Sequence, residues 1–219
     1  MFARAASTSS SVTCPRKADI VLVLDQSTSI VVGDPNYDNW YVTILGFAKS
    51  IASAFPIHRN LTQVAVMKFS DGVEIVFNLD KYDDHDSLLS AIDNIDINGG
   101  QTNLAAALRT GRTMFSTDSG GRDDAPDILI MVTDGTATRE ADRTESEVNT
   151  TKAAGIIIYT VGIGNDVDQE ELTKIASKTE YFFYAANFAD LNNVLPDLVE
   201  NLCKEAETVP TAPGLLVGI

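Results

Sequence analysis

Five oxygen-bearing side chains stand out by type and by place. Asp25, Ser27 and Ser29 follow the apolar run Ile20-Val21-Leu22-Val23-Leu24 at alternate positions. Thr102 follows Gly99-Gly100-Gln101, and Asp134-Gly135 follows the apolar run 127–133. Two carboxylates and three neutral hydroxyls make an all-oxygen set. Such a set suits a small hard cation, Mg²⁺ or Mn²⁺, which takes about six oxygens near roughly 2.1 Å and readily keeps waters. Ca²⁺ would ordinarily ask for more carboxylates. No Cys or His lies near these positions, which disfavours zinc. The competing explanation is that Asp25 and Ser27 are only turn and cap residues.

These side chains can meet only if the elements beneath them place them on one rim. The run ending at Asp25 and the run 127–133 read as strands covered on both faces. Trp40, Ile44, Phe47, Ala48, Ile51 and Phe55 recur at helical spacing, and Pro56 stops that helix. Residues 62–69 and 73–79 read as strands joined by Ser70-Asp71-Gly72, an antiparallel hairpin. A short helix over 87–95 and a helix carrying Leu104, Leu108, Gly111 and Phe115 on one face precede the second apolar strand. Helices near 140–153 and 169–177 then alternate with strands over 156–161 and 181–185. A last helix carries Phe188, Leu191, Leu195, Leu198 and Leu202 on one stripe. The alternation predicts an α/β domain: a doubly wound, mostly parallel sheet with one antiparallel edge strand and helices on both faces. Ligands in such sheets bind outside the carboxyl ends of the strands, where the three polar segments would converge. The domain is expected over 14–203. Residues 1–13, rich in Ser, Thr and Ala and lacking the apolar segment of a signal peptide, read as a disordered leader. Residues 204–219 read as a linker or tail.

The order Asp25-x-Ser27-x-Ser29, Thr102, Asp134-Gly135 resembles the von Willebrand factor type A family over about residues 18–202. In that family the five residues form a metal-ion-dependent adhesion site (MIDAS). The resemblance implies a Rossmann-like fold with this edge hairpin. Ser27 and Ser29 would bind the metal directly, and Asp25 would act through water and orient the serines. Thr102 and Asp134 would exchange direct and water-mediated coordination. A partner's carboxylate typically completes the metal's shell. Within the family the chain looks most like extracellular-matrix modules, as in matrilins, collagen VI and mussel byssal thread matrix proteins. The expected function is therefore a secreted, non-enzymatic adhesion module that binds a matrix partner such as collagen through Mg²⁺ or Mn²⁺. The alternative is a matrix-assembly scaffold whose partner binding does not need the metal. The aromatic loop 31–41 would lie beside the metal, while Trp40 itself reads as core.

The remaining signals narrow the function further. A net charge of −15 repels a phosphate backbone and an anionic membrane surface, and apolar runs such as Ile20 to Leu24 are far too short to cross a bilayer, so neither nucleic acid nor membrane insertion is expected. Cys14 and Cys203 fit no zinc motif and sit near opposite ends of the domain, whose termini often lie close. A disulfide clasp in an oxidising compartment is expected, against two unrelated buried thiols. The flanking cysteines also favour the matrix branch. Sequons at Asn60 and Asn149 lean weakly the same way. Enzyme readings fail on particular residues. A haloacid-dehalogenase-type site needs a second Asp where Ser27 stands. Gly162-Ile163-Gly164 lacks the third glycine of a dinucleotide loop, and neither a Walker A motif nor a nucleophile elbow occurs. His58 and His85 read as surface residues, the acidic run 80–86 as a solvated loop favouring the next helix, and 120–124 as an exposed loop.

Overall fold

The computed structural model describes residues 17–206 of the 219-residue chain. The expected leader, Cys14 and everything after Ala206 lie outside the described residues. Three apolar segments become the middle of the sheet: β1 (Ala18–Asp25), β2 (Thr62–Phe69) and β4 (Asp127–Thr133). They are buried along nearly their whole length, as strands must be when both faces are covered. β3 (Val73–Phe77), β5 (Ile157–Ile163) and β6 (Phe182–Ala185) complete a six-stranded sheet in the order β3-β2-β1-β4-β5-β6. All pairs are parallel except β2 with β3, the expected edge hairpin.

The period-2 alternation of each strand divides the core into two layers. Ile20, Leu22 and Leu24 of β1 and Ile128, Ile130 and Val132 of β4 face one side, with Trp40, Phe47 and Ile51. That layer is covered by α1 (Leu45–Ser53), α2 (His85–Asp93) and α6 (Leu195–Ala206). Val21, Val23, Leu129 and Met131 face the other side, under α3 (Leu104–Thr113), α4 (Ala141–Ala153) and α5 (Gln169–Ile175). Gly111 lets α3 lie close on the sheet: a Cβ there would stand 2.7 Å from a Leu129 methyl.

Several local readings are refined. The helix carrying Trp40 begins as a wide turn over Asn39–Ile44, where the Leu45 amide reaches back five residues to the Trp40 carbonyl. Trp40 is fully buried and donates its indole N–H to the Ile95 carbonyl at 3.0 Å. Asp84 of the acidic run caps α2 by accepting the Ser87 amide at 2.8 Å. His58 is exposed, but His85, the first residue of α2, is half-buried.

In the segment 120–124 Asp123 and Asp124 are exposed as expected, but Gly121 and Arg122 are corrected from exposed loop to structural pin. Gly121 is buried, and Arg122 donates to the fully buried carboxylate of Asp19 and to the backbone oxygens of Ala18, Arg59 and Leu61. A buried Asp at the start of β1 must recruit a cation, because an unpaired buried carboxylate is costly. This pin closes the amino ends of the strands, opposite the candidate site.

Candidate metal centre

The sheet order fixes where a site can form. From β1 the chain winds outward to β2 and β3, then returns to β4 beside β1 and winds the other way to β5 and β6. The β1/β4 boundary is therefore the switch point, and a crevice opens there at the carboxyl ends of the strands. Asp25 ends β1 and Asp134 directly follows β4.

The chain beyond Asp25 does not run on as an extended segment. The Asp25 carboxylate accepts the Ser27 amide at 2.7 Å, an Asx-type turn, and Thr28–Val31 then coil into a short 3₁₀ turn. The serines still share one side. Their hydroxyls lie 3.0 Å apart, and Ser29 Oγ donates to Asp134 Oδ1 at 2.8 Å. Asp25 sits behind this row, fully buried, with its second oxygen accepting the Thr133 hydroxyl at 2.5 Å. Its two oxygens thus engage one donor in the turn after β1 and one at the end of β4.

Thr102 arrives on the loop between α2 and α3. Thr28 clamps that loop, with its amide on the Gly100 carbonyl and its hydroxyl accepting the Gly100 amide, both at 2.9 Å. Gly100 has φ 126° and packs so closely on Ser70 and Asp71 that a Cβ would stand 2.7 Å from the Asp71 carboxylate. On the other side, the Thr138 and Arg139 amides both donate to the Thr102 carbonyl. Asn103 caps α3 through the Ala106 amide at 2.9 Å and so holds Thr102 at the helix entrance. The Thr102 hydroxyl lies over Gly135, 3.3 Å from where a Cβ would stand. Asp25, Ser27, Ser29 and Asp134 are thus joined through a hydrogen-bonded chain, and Thr102 is brought alongside it.

The electrostatics are those of an anionic pocket short of positive charge. Burial pushes the Asp25 carboxyl up to about 7, opposed by the Thr133 hydrogen bond and reinforced by the charge of Asp134. Burial also raises Asp134, against the hydrogen bond from Ser29. No Lys, Arg or His pairs with either acid among the described residues. A divalent cation would supply the missing charge, and the donors present, all of them oxygens, fit a hard ion. Among the described residues no group of three His, Cys, Asp or Glu side chains is placed to hold a metal.

Sequence reasoning did not assign Thr133, Thr28 or Thr138 to the site, although each positions one of the five. For Thr28 and Thr133 the available signal was a hydroxyl residue directly beside a candidate ligand, whereas Thr138, four residues past Asp134, carried no such signal. The sequon residues Asn60 and Asn149 are both exposed, the first in the loop before β2 and the second on α4. Cys203, half-buried on α6, packs against the core layer beneath that helix. No described helix is long and apolar enough to cross a membrane.

Comparison with known proteins agrees with this architecture. The collagen alpha-1(XII) chain of Notophthalmus viridescens is 33% identical over 204 residues, covering 91% of this chain and 21% of the collagen. The collagen alpha-6(VI) chain of Mus musculus is 32% identical over 192 residues, covering 87% of this chain and 8% of the collagen. The chain thus spans about a fifth or less of these relatives. Proximal thread matrix protein 1 from the mussel byssus superposes with a TM-score of 0.82 at 30% identity, over 87% of this chain and 49% of that one. A further structure of that mussel protein is described as having a zinc-occupied MIDAS motif. The model of the von Willebrand factor type A domain matches residues 19–198, and this chain belongs to that family.

Proposed function

We propose that Asp25, Ser27, Ser29, Thr102 and Asp134 hold a divalent cation, Mg²⁺ or Mn²⁺, and that the module binds an acidic side chain of a matrix protein through it. The observation that carries this reading is the row Ser27–Ser29–Asp134 over a buried Asp25 at the β1/β4 switch point. With only two acids in the set, a bound cation keeps much of its charge and attracts a further carboxylate from outside. Ser29 offers its hydroxyl oxygen at the surface of the crevice, and Ser27, buried beside it, offers a second. Asp25, engaged by the Ser27 amide and the Thr133 hydroxyl, orients them from behind. The collagens and the mussel thread protein among its relatives support a secreted, extracellular setting and a matrix partner such as collagen. The zinc in the mussel protein shows that a site of this family can accept that ion, so zinc belongs among the cations compared. A clasp between Cys14 and Cys203 and glycans on Asn60 and Asn149 fit the same setting.

Calorimetry with Mg²⁺, Mn²⁺, Ca²⁺ and Zn²⁺ tests the site. Saturable binding of one cation per chain, abolished by Asp25→Ala, is expected, and silence from the wild type overturns the reading. Capture of matrix extract with and without EDTA tests the partner mode. Capture that survives EDTA would favour a scaffold that assembles without the metal.

A further inference from the structure

The loop 134–140 has two sides. One carries Asp134 and, through Thr138 and Arg139, holds Thr102. The other side opens on a groove between α4 and α5 with a volume of about 680 Å³, in the range of about 300–1,000 Å³ typical of ligand sites. The Ala137 amide joins the two, donating across the groove's end to Glu171 of α5 at 3.4 Å.

The lining is two-sided in character. Val148 and Ile175 are buried at its base as part of the core layer under α4 and α5, with Ala137 packed against them. Glu145, Asp168 and Glu170 are exposed around it, and Glu171 is half-buried. Lys174 is the one basic residue lining the groove, and its ammonium pairs with Glu170 at 2.6 Å. Glu145, Asp168 and Glu171 have no ion pair among the described residues. The Lys174 ammonium also feels the charges of Asp168 and Glu145, but it is one cation among four carboxylates, and an aliphatic floor beneath that surplus of negative charge matches a side chain with an apolar stem and a cationic head.

We propose that this groove is a docking site for a lysine- or arginine-bearing segment of a protein partner. The stem lies along Ala137, Val148 and Ile175, and the head pairs with Glu145, Asp168 and Glu171. Because the groove adjoins the loop carrying Asp134, one partner can present a basic residue here and an acidic residue at the neighbouring rim. Burial and the charge of Asp168 raise the Glu171 carboxyl, the mark of a carboxylate short of a cation.

The test is run in EDTA, so that it stands or falls apart from the metal site. The full ¹⁵N-labelled chain is titrated with acetylated, amidated tetralysine near physiological salt. Saturable shifts confined to amides of 136–149 and 168–175 are expected. Glu145→Gln with Glu171→Gln should weaken binding at least fivefold. Asp38→Asn with Asp86→Asn, the same charge change at exposed positions elsewhere, should alter it less than twofold. Ala141→Lys, at an exposed position lining the groove, should abolish binding with the remaining spectrum unchanged. Shifts spread over the whole acidic surface, equal weakening by both double variants, or spermine binding as tightly as the peptide would each overturn the proposal.

Discussion

Ser29 donates from Oγ to Oδ1 of Asp134 over 2.8 Å, joining residues 105 positions apart in the chain. The bond spans the boundary at which the sheet changes winding direction. It brings a hydroxyl from the turn after β1 against a carboxylate from the end of β4, while Asp25 stays behind. Removing the Asp134 carboxylate takes away one of two acids and the anchor of the Ser29 hydroxyl. Asp134→Ala should therefore weaken Mg²⁺ or Mn²⁺ binding by about 100-fold or more, the upper end of what even supporting residues of metal sites contribute. Calorimetry at fixed pH measures it, and an unchanged affinity would remove Asp134 from the site.

Thr133 offers a test that leaves all five candidate ligands in place. Its hydroxyl donates to Asp25 and also accepts the Gly135 amide at 3.2 Å. Thr133→Val keeps the shape and deletes both contacts. Metal affinity should fall about 10–100-fold, the usual effect of losing an orienting hydrogen bond behind a ligand. The circular dichroism spectrum should be preserved. Full affinity in the valine variant would mean that Asp25 needs no orientation from β4.

Arg122 is expected to matter for stability and not for metal binding. Its loss strands the buried carboxylate of Asp19, which costs about 3–5 kcal/mol when one partner of a buried pair is removed. For a domain of this size each 1 kcal/mol corresponds to about 2–4 °C in melting temperature. Arg122→Met should therefore lower the melting temperature by roughly 10 °C. Adding Asp19→Leu should restore part of the loss, because the stranded charge is gone. A double variant less stable than Arg122→Met alone would show that the backbone contacts of Arg122 dominate.

Asp127 supplies a pH dependence at the same end of the sheet. It lies beside Asp19 in the β1/β4 register, and burial with the charges of Asp19 and Asp123 pushes its carboxyl up to about 7. A carboxyl raised by folding binds its proton more tightly in the folded chain. Its contribution to stability is full below the ordinary value of about 4 and is lost as pH rises through about 7. Asp127→Asn should therefore flatten the decline in stability between pH 5 and pH 8. At pH 8 the variant should be the more stable by about 1 kcal/mol, a figure reduced for the solvent screening of a partly exposed group. Melts of both proteins in EDTA read this out, and parallel pH profiles would contradict it.

The amino-acid order by itself determined the doubly wound sheet, its antiparallel edge and the rim on which polar residues gather. The reason is local. Apolar runs such as Ile20 to Leu24 and Ile128 to Val132 must be covered on both faces, and each ends where a polar residue first appears. Ser27 and Ser29 were legible because they sit two and four residues past Asp25. Tertiary structure alone decided which neighbours would orient the site. Thr133 turns to Asp25 only because β4 lies beside β1, and Thr138 meets Thr102 only when two loops cross. Arg122 was misread for the same reason. Among the glycines and acids of 120–124 it looks solvated, and its partners Asp19, Arg59 and Leu61 lie some 60 to 100 residues earlier in the chain. Periodicity reports which face a residue buries, but long-range hydrogen bonds depend on which ends of the strands come together, and that is fixed only when the sheet assembles.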